Sequence, residues 1–254
     1  MYDMSTRKRA LALLEQGRSL NSVSRETGIS RAAIRSWQDR LEPLPSIANP
    51  GPGPPADDRA YAYLLGLCLC LCLCLCDGRI SPHPRRTGYY LRIACADAWP
   101  GLIQLCREAI AKVRPGIGVF ALQKEGYVMV TSYYRHWPHL FPQHGPGKKH
   151  DRRIALEPWQ QDIVDAHPWE FIRGLVHSDG CRITNWTTKI VAGERKRYEY
   201  PRYFFTNRSD DIRRLYTDTL DQIGVAWRQT NAWNISVARR ASVALMDTHV
   251  GPKY

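Results

Sequence analysis

Two stretches of this chain end the same way, and that repetition restricts its fold more than any other feature. Residues 171–183 read FIRGLVHSDGCRI, and residues 64–80 read LLGLCLCLCLCLCDGRI. Each is an apolar run closing on Asp-Gly, followed at once in the first copy, and after Cys181 in the second, by the strand-like pair Arg-Ile. The two Asp-Gly pairs lie about a hundred residues apart, the separation of a duplicated fold unit. In the second copy Gly174 and Ser178 are four apart, so they share one helix face and leave little side chain there. A second helix can approach such a face closely. Asp179 falls where this helix should stop, with Gly180 as the expected terminator. A carboxylate is unfavourable at a helix C-terminus, because the dipole is already negative there. A nearby cation would compensate it.

The nine residues IRGLVHSDG, with the earlier Asp77-Gly78 ending, resemble the LAGLIDADG family, whose endonucleases carry one such motif per half. The resemblance covers roughly residues 59–254. It implies an α+β fold, a pseudo-twofold saddle of two αββαββα halves at about 59–134 and 157–254. Strand and helix patterns agree with that order. In the first half they are strands near 79–83 and 89–95, a helix over 99–112 and strands at 118–123 and 127–132. In the second they are strands near 181–191 and 197–206, a helix over 210–223, strands at 225–230 and 233–237, and a last helix over 239–249.

The resemblance further implies that Asp77 and Asp179 meet between the halves as catalytic and metal-binding residues. Two carboxylates held close repel each other, and a divalent cation relieves that repulsion. Mg2+, which seeks oxygen ligands, suits such a pair together with DNA phosphates. It would activate water and stabilise the leaving oxygen.

The first copy departs from the pattern. Gly174 to Asp179 is five steps, but Gly66 to Asp77 is eleven. Six extra residues turn a helix by roughly 240° net, so Gly66 and Asp77 cannot both keep their places in one continuous helix. If Asp77 keeps its place, the helix interface passes to Cys72 and Cys76, at an overpacking cost of about 1–3 kcal/mol. If Gly66 keeps it, Leu71 falls where the acid belongs. The expectation is that the C-terminal register wins, because Gly78 and the following strand fix the exit.

Residues 5–41 read as three short helices, the first capped by Ser5 and the second ended by Gly28. Val23, Ile29, Ile34 and Trp37 are spaced to close a small core. This pattern resembles the helix-turn-helix of the resolvase and transposase type. The resemblance implies that Ser30, Arg31, Ala33 and Arg35, early in the third helix, reach the DNA major groove. Six prolines between 43 and 56 make a stiff linker. The domains expected are therefore 1–42, a linker over 43–58, and 59–254.

A formal net charge of +12 favours a polyanionic partner: nucleic acid first, anionic lipid second. The apolar run over 61–76 falls short of the roughly 20 residues that span a bilayer. Five of the eight cysteines lie in the Leu-Cys alternation, which is neither a disulfide framework nor a zinc spacing. The chain reads as cytoplasmic, nucleoid-associated if bacterial, without a membrane partner, and as a monomer with an internal pseudo-dimer. Candidate double-stranded DNA contacts are Arg79, Arg92, Arg182, Lys189, Arg195, Lys196, Arg197, Arg202 and Arg228. Residues 181–202 alone hold six basic and two acidic side chains. Four histidines (His136, His139, His144, His150) and a basic cluster fill the connection between the halves, where phosphate contact is the better reading than zinc.

Three readings remain open on sequence alone. They are a Mg2+-dependent, sequence-specific endonuclease, a transcription regulator using the same fold without cutting, and a splicing helper that binds intron RNA. Specific DNA binding is common to the first two.

Overall fold

In a computed structural model the chain is described over residues 3–39, 53–70, 79–84, 87–145 and 149–254. It divides into two compact units, Met1–Gly51 and Pro52–Tyr254.

The first unit is three helices: α1 (Met4–Glu15), α2 (Leu20–Thr27) and α3 (Arg31–Asp39). Asp3, not Ser5, caps α1, its carboxylate accepting from Thr6 N–H at 2.7 Å. Gly28 ends α2 in the left-handed conformation (φ 69°), which costs glycine no Cβ clash. The Ser24 hydroxyl donates to the Ile29 carbonyl at 2.7 Å and ties the turn. Ala10, Val23, Ile29, Ile34 and Trp37 form the core, and the Arg7 guanidinium lies over the Trp37 ring.

The second unit opens with residues 53–56, expected as linker but packed against the body. Ala56 N–H donates to the Val113 carbonyl at 3.1 Å, and the Arg114 guanidinium donates to the Gly53 and Pro54 carbonyls. Two half-units follow. The first is α4 (Asp58–Cys70), β1 (Arg79–Pro82), β2 (Tyr89–Ala96), α5 (Pro100–Val113), β3 (Val119–Lys124) and β4 (Tyr127–Tyr134). A connection carries α6 (Trp137–Leu140) and α7 (Pro158–Ala166). The second is α8 (Pro168–Asp179), β5 (Gly180–Val191), β6 (Glu194–Thr206), α9 (Asp210–Gln222), β7 (Arg228–Gln229), β8 (Asn234–Val237) and α10 (Arg240–His249). The sheets are antiparallel and ordered alike, β1-β2-β4-β3 and β5-β6-β8-β7. The fold is α+β with two matching halves. The strand expected over 225–230 contracts to β7, because Val225 is buried in the core before the strand begins.

The core sits between each sheet and its helices, around α4 and α8. Residues 61–70 of α4 are buried throughout, leucines and cysteines alike. A helix apolar on all sides belongs in the interior, and here the Leu-Cys alternation up to Cys70 is helical despite its strand period. Among the described residues no helix is long and apolar enough to cross a membrane.

Candidate nucleic-acid interface and helix-end centre

α4 and α8 run side by side in the same direction. Arg59 pairs with Glu170 near their starts. Midway, Gly66 and Gly174 lie backbone against backbone. A Cβ on Gly66 would sit 2.5 Å from the Phe171 carbonyl oxygen, and one on Gly174 would sit 3.0 Å from the Gly66 Cα. Only glycine permits that approach from both sides. Further along, the Tyr63 hydroxyl is 3.1 Å from His177 Nδ1. Burial, with Arg173 and Lys253 nearby, pushes the His177 imidazole down to about 4, so it is neutral at pH 7.

This crossing overturns one expectation. Gly66 holds the interface in the first copy, so the C-terminal register does not. Counting from the two glycines, Cys70 corresponds to Ser178 and Leu71 to Asp179. Asp77, Cys72, Cys76 and Leu71 itself lie outside the described residues.

Asp179 ends α8, and Gly180 opens β5 in extended conformation rather than the left-handed one expected of a terminator. Glycine is needed there for space: a Cβ would meet the Val176 Cα at 2.8 Å and its carbonyl oxygen at 2.9 Å. Asn207, between β6 and α9, donates through Nδ2 to Asp179 Oδ2 at 2.8 Å. Its Oδ1 accepts from Ser209 N–H at 2.9 Å, which fixes the amide with its nitrogen toward Asp179. Cys70 Sγ stands 3.9 Å from the same Asn207 nitrogen, so the described end of α4 reaches the same point. Lys253, after α10, donates from Nζ to the Ser178 carbonyl at 3.0 Å. Burial lowers the Lys253 ammonium from its usual range, while Asp179, Cys181 and Cys70 pull the other way. No local pattern marks Asn207 or Lys253, because both come from loops far from the motif.

The basic residues divide by strand register. Tyr203, Phe205, Ile235 and Val237 are buried under α9 and α10, so residues paired with them or two steps along share the helix-covered face. Arg182, opposite Tyr203, lies on that face. It makes a two-pronged ion pair with Asp247 of α10, at 2.6 and 2.9 Å, and holds that carboxyl below its usual range. Arg197 and Arg195 are in the same register, and Arg197 lies over the Trp186 ring and pairs with Glu199 at 2.8 Å. Arg182, Arg195 and Arg197 therefore do not join the helix-free face.

That face carries Lys189 directly opposite Lys196, Arg202 opposite Ile183, and Arg228 opposite Ser236. Tyr198 and Tyr200 alternate between the last two basic residues of β6 on it. In the first half, Arg92 stands on the corresponding face, bonded to the Ser81 hydroxyl at 2.9 Å and lying over Tyr90. Arg79 is paired with it in register. By the same register that face also carries Tyr90, Tyr133, Phe120, Met129 and Leu122, with Lys124 at its end, so it is more aromatic and apolar than its counterpart in the second half. In α3, Arg31 and Arg35 are exposed, while Ser30 caps Ala33 N–H at 3.3 Å and Ala33 turns toward the core. Ser30 is exposed with its hydroxyl accepting at the start of α3, while the Ala33 side chain is turned inward. In the connection between the halves, His136 packs on Tyr134, His139 on Trp159 and His144 on Phe141.

No protein-family model matches the chain, and no curated protein matches it. Among solved structures, it is similar to a mesophilic variant of the homing endonuclease I-DmoI, at 13% identity over 76% of this chain and 96% of that one, with a TM-score of 0.46. It is also similar to the LAGLIDADG meganuclease I-AabMI bound to uncleaved DNA, at 12% identity over 74% and 83%, TM-score 0.46. A third likeness is to the N-terminal LAGLIDADG domain of DUF199/WhiA, at 8% identity over 82% and 86%, TM-score 0.39. The chain is similar to LAGLIDADG proteins. The likeness is one of fold, and the residues at the ends of α4 and α8 stand on their own chemistry.

Of the two acids the sequence suggested for Mg2+, Asp179 stands at this centre and Asp77 lies outside the described residues. Mg2+ wants several oxygen ligands in near-octahedral array. Among the described residues, the centre offers one carboxylate, Asp179. One of its oxygens accepts from Asn207, and a lysine ammonium attends the same helix end. No group of three or more His, Cys, Asp or Glu side chains comes together as a metal site among the described residues.

Proposed function

We propose that this protein binds double-stranded DNA with sequence specificity, in the manner of the LAGLIDADG proteins it resembles, and that the helix-free face of β5 and β6 is its principal contact. The observation that supports this most is Lys189 directly opposite Lys196 on an exposed ribbon. Like charges facing each other across a strand pair destabilise it, and a phosphate backbone would relieve them. Arg202 and Arg228 extend the same basic row toward the body, and Tyr198 and Tyr200 supply flat apolar surface between the charges. Phosphate contacts would position the ribbon, while groove contacts would select the sequence.

Between cutting and binding alone, the described centre favours binding. Gly66 marks the helix crossing in the first copy, eleven residues before Asp77 where Gly174 stands five before Asp179, and the Asp179 carboxylate accepts from the Asn207 amide. Sequence-specific regulation of transcription is therefore preferred to Mg2+-dependent cleavage.

The test is selection of binding sites from a randomised duplex pool in Ca2+, followed by incubation of a supercoiled plasmid bearing the selected site in Mg2+. An enriched site with intact plasmid supports specific binding without cleavage. Linearisation that disappears in Asp179→Asn would establish the endonuclease instead. Absence of any enriched duplex site, with retention of structured RNA in a parallel pool, would replace DNA by RNA.

A further inference from the structure

The end of α8 concentrates negative charge. A helix C-terminus carries a partial negative charge, and Asp179 adds a full one at the same place. The chain brings a cation of its own there, on a segment fastened at both ends. Behind Lys253, the Val250 and Gly251 N–H groups both donate to the Met246 carbonyl, at 2.8 and 3.2 Å. Ahead of it, a Tyr254 main-chain oxygen accepts from Leu102 N–H at 3.1 Å, in the first turn of α5. The Tyr254 ring packs so closely on Gly101 that a Cβ there would overlap it. Met246 belongs to the second half and Leu102 to the first, so the segment crosses between the halves with Lys253 inside the crossing. Half-buried, Lys253 Nζ reaches the Ser178 carbonyl, one residue before Asp179.

We propose that Lys253 is the resident counter-ion of Asp179: its ammonium, delivered by the segment after α10, holds the electrostatic place at the end of α8 that a divalent cation would need, so a metal reaches Asp179 only in competition with it. Asn207 fixes the orientation of the Asp179 carboxylate. The titratable groups that favour the Lys253 ammonium are Asp179, Cys181 and Cys70. This inference concerns the centre alone and does not rest on DNA binding.

Mn2+ binding to the full chain, without DNA, tests it. Free Mn2+ is followed by electron paramagnetic resonance at fixed pH and ionic strength, with wild type, Lys253→Met, Lys253→Gln and Lys253→Arg. Removing one charge beside a divalent ion should tighten binding roughly tenfold in Lys253→Met and Lys253→Gln, and Lys253→Arg should stay at the wild-type value. The double variant Lys253→Met with Asp179→Asn should lose the gain. Lys253→Gln retains a donor for the Ser178 carbonyl, so it serves if Lys253→Met unfolds. Equal Mn2+ affinity in wild type and the neutral variants would overturn the proposal, as would a gain that survives Asp179→Asn. Because DNA is absent throughout, failure here leaves the proposed DNA binding standing, and failure to select a DNA site leaves this result standing.

Discussion

Gly66 and Gly174 face each other across the α4–α8 crossing so closely that a Cβ on either would meet the other helix's backbone. Backbone cannot rotate away as a side chain can, so alanine at either position must push the helices apart. Gly66→Ala and Gly174→Ala are each expected to lower stability by about 1–3 kcal/mol, the usual cost of overpacking, and occasionally more. A conservative change on the exposed side of α5, such as Lys112→Arg, should change little. Denaturant titrations that leave either glycine variant as stable as wild type would show that the two helices do not touch as described.

Strand register separates the basic residues into two populations with different roles. Lys189, Lys196, Arg202 and Arg228 stand on the helix-free face, and each neutralised side chain should lower the slope of log affinity against log salt by about one unit if it meets a phosphate. Arg182 is committed to Asp247 on the opposite face. Arg182→Ala should leave the salt slope unchanged and cost at most about 1 kcal/mol of stability, because the pair is partly open to solvent. Filter binding at several salt concentrations distinguishes the two groups.

His177 makes the α4–α8 interface acid-sensitive. Its folded value is about 4 against 6.5 for an ordinary imidazole, so the unfolded chain binds the proton more readily. The stability this neutral group contributes is fully present above pH 6.5 and is lost as pH falls to about 4. The full loss is on the order of 3 kcal/mol. Replacing His177 by Gln removes the titration. Its melting temperature should fall less than that of the wild type over the same range, even if it starts lower at pH 7. Parallel pH profiles for the two proteins would contradict the assignment.

Much of this arrangement was legible from residue patterns, and the gaps have identifiable causes. Gly174 and Ser178 on one helix face announced a close helix pair, and the repeated Asp-Gly ending announced the duplication. The register of the first copy was not legible. Both Gly66 and Asp77 were credible anchors in one dimension, and only the backbone approach at Gly174 selects between them. The faces of β5 and β6 were hidden for a related reason. Tyr198, Tyr200 and Phe204 alternate with Tyr203 and Phe205, so aromatic residues fall on both sides and period-two patterning cannot say which is buried. Asn207 and Lys253 could not be found at all, since each owes its place at the end of α8 to chain crossings that no local pattern records.

The three-helix head should unfold before the body. Among the described residues its fully buried core is Ala10, Val23, Ile29, Ile34 and Trp37, and none of them belongs to the cluster that holds α4 to α10 together. A unit of roughly 40 residues buries too small a share of its surface to be strongly stable alone. Arg31 and Arg35 are exposed on α3 and add charge to whatever polyanion the chain meets. Calorimetry of the whole chain should therefore show a weak low-temperature transition and a larger one above it. Removal of residues 1–51 should abolish only the first, and should lower DNA affinity and its salt slope without shifting the second. If the larger transition falls with the truncation, the two units support each other and the division between them is wrong.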